Sequence, residues 1–267
     1  MIIKKVVCIS LVLGALLLSK LYSTPKIQPM LVSNLLGEVN KNVEIGDDET
    51  PAAKEENPSN YLETINFAEE EIPTNLPQVE SKLLRYMKKF SFSKTGSYDL
   101  HKKAEKHLPK ISKILASYGI PDDFKYVPLL ESGMNQSTTS HKGAGGYWQF
   151  MPQTARLYGL VVNGSRDDRK DFTKSTHAAA RYIKDLYKQF GNWTLVAAAY
   201  NVGGGRLKSA IKRQNEDSYY ELALNAETSS YVYKLISIKE IIENPDKHGY
   251  KRYAKHDVET ENDPKMF

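Results

Sequence analysis

Glu131 is the residue with the most chemistry to offer, because of what surrounds it. Pro121, Asp122 and Asp123 read as a helix start, and Gly133 reads as its stop. Glu131 then falls in the last turn, where the negative end of the helix dipole disfavours an ionised carboxylate. Leu129 and Leu130 beside it withdraw water and push the same way. A carboxyl kept protonated near neutral pH can hand a proton to a leaving oxygen and act as a general acid. Taken alone, the pattern also fits an ordinary solvent-facing glutamate at a helix end.

Three further groups follow in order. From Ser140 to Pro152, three glycines (Gly143, Gly145, Gly146) allow close backbone approach to a ligand or a neighbouring strand. Tyr147 and Trp148 can stack on a flat ligand face or line the core, and Gln149 offers both a donor and an acceptor. A phosphate cradle is a poor fit, since the glycine spacing is wrong and no lysine follows the last glycine. Next come the small residues Ala197, Ala198 and Ala199, which end at Tyr200, Asn201 and three glycines. The last group holds Glu227, Thr228, Tyr231 and Val232.

Glu131-Ser132, Ser140 to Pro152, Ala199 to Gly203 and Glu227 to Val232 resemble, in this order, the motifs of family 1 soluble-type lytic transglycosylases. The run Trp148 to Arg156 is similar to that of the membrane-bound D type, without that type's wall-binding LysM repeats. The resemblance covers roughly residues 98–244. It implies a mainly α, lysozyme-like (goose-type) domain with a glycan-binding groove. It also implies that Glu131 is the acid/base and that Ser140, Gln149 and Met151 line the groove near the scissile bond. Tyr200 would lie close to Glu131, Asn201 and Glu227 would support the groove floor, and Tyr147, which stands where relatives often carry leucine or isoleucine, would face substrate.

The activity so implied is cleavage of the bond between N-acetylmuramic acid and N-acetylglucosamine in peptidoglycan. Two carboxylates are usual in glycoside hydrolysis, yet the motifs offer no second one with an obvious place opposite Glu131. The sugar's 2-acetamido group can supply that assistance. Glu131 would protonate the bridging oxygen and then take the proton of the C6 hydroxyl as it attacks C1, leaving a 1,6-anhydro end. No cofactor and no metal is required. A hydrolysing muramidase on the same fold and a non-catalytic wall-binding protein are the other two readings. The expected partner is a peptidoglycan glycan strand and not a nucleic acid.

Other residues that could do chemistry read as structural. Asp167, Asp168 and Asp171 lack the alternation and glycine of a calcium loop, so a helix cap near Thr173 is the better account. His141 and His177 have no metal-ligand spacing and read as structural. The only cysteine is Cys8, so disulfides and thiolate sites are not available beyond it.

The elements that must position these groups are helical. Apolar residues recur at helix-like spacing over residues 81–90 and 98–118, and further helices are expected over 122–132, 173–190, 194–201, 206–213 and 227–242. The domain boundaries run as follows. Residues 1–23, with Lys4 and Lys5 before an apolar run, have the layout of a secretory signal, with an uncleaved anchor and membrane association as the other reading. Residues 24–79 read as an acidic, proline-punctuated, disordered linker, 80–245 as the catalytic domain with a helical extension, and 246–267 as a charged tail. Export to the periplasm or cell envelope follows from the signal. The stretch 36–71 carries −9 and the rest of the 267-residue chain +14. That balance suits an anionic polymer, though on charge alone a solvated lysine-rich surface is the better account.

Overall fold

The computed structural model describes residues 58–251, all within one compact unit, Glu55–Phe267. The signal and the first part of the linker lie outside the described residues. Ten α-helices are found among the described residues: α1 (Pro58–Glu63), α2 (Pro77–Phe90), α3 (Phe92–Thr95), α4 (Asp99–Ala116), α5 (Val127–Ser132), α6 (Pro152–Leu157), α7 (Phe172–Phe190), α8 (Trp193–Val202), α9 (Gly204–Gln214) and α10 (Thr228–Glu243). The mainly helical class is as the sequence predicts.

Two helices form the centre. In α8 every residue from Thr194 to Ala199 is buried, so the alanine run is a packing surface on all sides. Helix α10 is also buried on most faces, from Thr228 through Ile241. Around this pair, α2, α4 and α7 each turn one apolar stripe inward, as Ala104, Leu108, Ile111 and Leu115 do on α4. Local signals set the ends. The Asp171 carboxylate accepts from Lys174 N at 2.8 Å to start α7, and Gly191 ends it at φ 63°. Asp171 is thus the cap expected near Thr173.

Three expectations need correction. Residues 58–79 are folded, not linker. Beyond α1 they form a hairpin of β1 (Asn66–Phe67) and β2 (Glu70–Glu71), closed by Ala68 and Glu69 at φ 54° and 64°. Ile65, Phe67, Ile72 and Val79 are buried in the same core as the central helices. Their acidic neighbours are structural too, since the Glu70 carboxylate accepts from Trp193 N (2.5 Å), Thr194 N (2.8 Å) and Thr194 Oγ1 (2.8 Å) at the start of α8. The charged tail also begins as folded chain, because Tyr250 is fully buried and donates to the Phe90 carbonyl at 2.6 Å. Finally, Asp122 and Asp123 do not cap a continuous helix. They begin a 3-10 turn, Asp122–Tyr126, and the Asp123 carboxylate accepts from Ala68 N (2.6 Å) and Lys239 Nζ (2.7 Å).

Candidate active site

The short helix α5 exists to place one residue. Val127, Pro128 and Leu129 bury its inner face, and Gly133 and Met134, both at φ 58°, close its end through bonds from Gly133 N to Leu129 O (3.1 Å) and Met134 N to Pro128 O (3.2 Å). Ser132 Oγ donates to Tyr147 O at 2.8 Å, tying this end to the glycine-rich loop. Glu131 is left on the outer side, its carboxyl at the floor of a cavity of about 690 Å³.

The glycine-rich loop forms one wall. Gly145 and Gly146 are needed for approach to protein, not to ligand. A Cβ on Gly146 would lie 1.9 Å from Arg169 O, and one on Gly145 would lie 2.9 Å from Arg169 Cζ. The buried Arg169 guanidinium donates to Gly143 O (2.8 Å) and Phe150 O (3.0 Å), with Asp167 as its ion partner at 2.8 Å. Asp168 pairs in turn with Arg166 and Lys174. This charged brace holds the wall in shape. On it, Ser140 closes its own turn with Ala144 (2.8 and 3.0 Å), Met151 is 43% exposed, and both line the cavity.

Gln149 also lines the cavity, at φ 48°. With the amide oriented by its hydrogen bonds, Nε2 donates to Thr138 O (3.0 Å) and Gly146 O (2.9 Å). Its donors are therefore spent on its own loop and only the oxygen remains to offer a ligand, where the sequence suggested both.

The opposite wall comes from the C-terminal end of α8 and the start of α10. Tyr200 donates to Trp148 O at 2.8 Å. Asn201 donates to Glu227 Oε1 at 3.3 Å and accepts from Thr228 Oγ1 at 2.8 Å. Tyr200, Asn201, Glu227 and Thr228 all line the cavity with Glu131. Seven of the eight residues singled out in the sequence are thus brought together.

Tyr147 is the exception: it lies outside the cavity, its ring packed edge-on to Phe172 at 5.3 Å and near His107. Its neighbour Trp148 is fully buried and donates to Thr176 Oγ1 at 3.0 Å, so that ring is structural. His177 bonds the Tyr118 hydroxyl through Nδ1 at 3.0 Å, in keeping with a structural role. His141, read as structural, instead lines the cavity rim.

One residue the sequence reading left out of the site touches the central carboxyl. The Tyr231 hydroxyl donates to Glu131 Oε1 at 2.7 Å. Glu227 and Tyr231 lie four residues apart, so a helix there would have put them on one face. Burial pushes Glu131 up to about 7, against the Tyr231 hydrogen bond, with the negative field of Glu227 adding to the rise and Lys234 opposing it. Desolvation is thus the largest cause of the rise. Burial also holds the Tyr200 and Tyr231 hydroxyls well above their usual range, so both stay protonated as donors. Such a site can release and retake a proton near neutral pH at one fixed point.

A mainly helical frame around a cleft lined by Glu131 and Glu227 fits the class of lysozyme-like domains. Residues 110–223 match the Transglycosylase SLT domain family. The chain is 31% identical over 188 residues to membrane-bound lytic murein transglycosylase D of Escherichia coli (strain K12), spanning 68% of this chain and 41% of that protein. It is 33% identical over 147 residues to a putative tributyltin chloride resistance protein of Alteromonas sp. (strain M-1), spanning 54% of this chain and 71% of that one. The 70 kDa soluble lytic transglycosylase of Escherichia coli superposes with a TM-score of 0.43 and 21% identity, over 67% of this chain and 31% of that one. The chain belongs to the SLT-type lytic transglycosylase family.

Proposed function

We propose that this chain cleaves the glycan strands of peptidoglycan as a lytic transglycosylase, with Glu131 as acid and then base. The observation that carries this reading is a carboxyl raised to about 7 on the floor of a large open cleft and oriented by the Tyr231 hydroxyl. In the first step the protonated Glu131 donates to the oxygen joining N-acetylmuramic acid to N-acetylglucosamine. The sugar's own 2-acetamido group stabilises the charge that develops at C1. The muramic C6 hydroxyl then attacks C1 and returns its proton to Glu131, so the product is a 1,6-anhydro end and water is not consumed. Ring closure within one bound sugar has a high effective molarity, which favours it over attack by a free molecule.

Gln149 Oε1, Ser140 and Met151 form the wall against which the strand lies, while Asn201 and Thr228 hold Glu227 and the floor in place. Substrate of this kind sits in the cell envelope, in line with the exported character read from residues 1–23. Among the described residues no helix is long and apolar enough to cross a membrane.

The place of Glu227 in the same cavity favours a second reading, in which that carboxylate activates a water and the enzyme hydrolyses the bond. Digestion of purified peptidoglycan followed by mass spectrometry separates the two, since an anhydro end is one water lighter than a reducing end. Anhydro products that disappear in Glu131→Gln, with a rate loss of roughly 10²–10⁴-fold, are expected. Reducing ends lost in Glu227→Gln would establish hydrolysis instead.

A further inference from the structure

Glu227, Tyr231 and Lys234 fall at positions i, i+4 and i+7 along α10, so they form one stripe on that helix. The stripe faces the Glu131 carboxyl. Glu227 lines the same cavity, and the Tyr231 hydroxyl donates to Glu131 Oε1 at 2.7 Å. Lys234 stands one turn beyond Tyr231, about 4–5 Å along the axis, behind the carboxyl and off the cavity wall. It is half-buried and has no acidic partner at ion-pair distance among the described residues. Its charge favours the ionised form of Glu131.

The seat of this ammonium comes from another helix. Helix α2 packs along α10, and Lys234 Nζ lies 5.8 Å from the centroid of the Tyr86 ring on α2. The negative face of an aromatic ring attracts a cation at this range. Arg85 Cζ lies 5.1 Å from the same centroid, and Lys82 Nζ lies 5.4 Å from the centroid of Tyr233. The groups that α2 turns toward Lys234 are thus a ring that holds it and cations that cannot neutralise it. Neither α2 nor Lys234 falls within residues 110–223, the stretch matched to the SLT family.

On the reading that Glu131 is the acid, we infer that Lys234, seated on Tyr86 of α2, stabilises the carboxylate that Glu131 becomes when its proton moves to the bridging oxygen. Lys234 touches no reacting atom, so it is a positioning residue that acts through Glu131. The groups around the carboxyl then have opposed tasks. Burial and Glu227 favour the protonated form that enters the reaction, while Tyr231 and Lys234 favour the ionised form that the first step leaves. Tyr200, which stays protonated, adds no charge of its own.

The test follows the Glu131 carboxyl by ¹³C NMR against pH in full-length wild type, Lys234→Met and Lys234→Arg. The midpoint is expected to rise by roughly one pH unit in Lys234→Met and to stay near the wild-type value in Lys234→Arg. Tyr86→Leu, which removes the ring, moves it the same way by less, and Tyr86→Phe, which keeps the ring, does not move it. On peptidoglycan the alkaline limb of kcat for Lys234→Met moves up with the midpoint, while the plateau falls about tenfold at unchanged KM. A midpoint that is unmoved or lowered in Lys234→Met overturns the inference. An equal rise in Lys234→Arg also overturns it, by assigning the change to packing, and an unmoved midpoint in Tyr86→Leu overturns the seat on α2. The NMR reading needs no turnover, which keeps it distinct from the cleavage reading. A raised midpoint in Lys234→Met supports the inference even if no strand is cut. An unmoved one, with strands cut normally, refutes it and leaves the cleavage reading intact.

Discussion

At the scale of single residues, the pH at which Glu131 ionises sets what it can do. On the proposed reading Glu131 enters the reaction protonated, and burial pushes its carboxyl up to about 7. Cleavage is then expected to be retained below that point and to fall as pH rises through it. Tyr231→Phe removes the hydrogen bond that favours the ionised form, so the alkaline limb of the rate profile moves to higher pH. The same change loosens the carboxyl's orientation and lowers kcat, by about 10- to 100-fold if the bond is worth the 1.5–3 kcal/mol usual for one to a charged group. A limb that moves to lower pH would contradict this assignment. Glu131 was legible in the sequence through the motifs that follow it in order, since the frame of leucines and a glycine stop alone fitted an ordinary helix-end glutamate. Tyr231 was harder to see: it is one of 17 tyrosines, and only the depth of α10 in the core reveals that its hydroxyl points at the carboxyl. Tyr147, which lies outside the cavity, shows the converse, since an aromatic beside a glycine turn serves a core or a cleft equally well from sequence alone.

At the scale of elements, helix positions were largely readable because their apolar periods and end signals are local. Helices α4, α7, α8 and α10 begin and end within two residues of where the pattern places them. What could not be read is support that arrives from far along the chain. Helix α8, which carries Tyr200 and Asn201, has its own cap in Asn192, whose side chain accepts from Leu195 N at 2.8 Å. Its first two amides are satisfied by Glu70, from a hairpin more than 120 residues earlier. A carboxylate in that position meets both the orphan N–H groups and the positive end of the dipole. Glu70→Ala is accordingly expected to cost about 1–2 kcal/mol of stability, measured by urea unfolding, and Glu70→Asp to recover part of it. No change in the unfolding midpoint would mean that Asn192 suffices. The brace from Arg169 to the glycine-rich loop is likewise long-range, and three aspartates near one another gave no sign of which arginine each would hold.

For the whole molecule, the composition shift at the acidic stretch suggested a boundary, but charge marks a linker poorly where the acids have folded partners. Residues 58–71 carry four of the eleven acids of 36–71 yet build α1 and the hairpin. Tyr61 ties this segment to the far end of the fold by donating to buried Glu240, which also receives Asn244 Nδ2 at 2.8 Å. Deletion of 58–71 should therefore lower the unfolding midpoint. An unchanged midpoint would show that the hairpin adds nothing to the fold. The account as a whole rests on Glu131 being a carboxyl that holds its proton to near-neutral pH, and that can be observed directly. With ¹³C-labelled glutamate, the one side-chain carboxyl signal missing from Glu131→Gln identifies Glu131, and its chemical shift is followed against pH. A midpoint near 7 is predicted. A midpoint in the ordinary glutamate range, at about 4, would contradict the account.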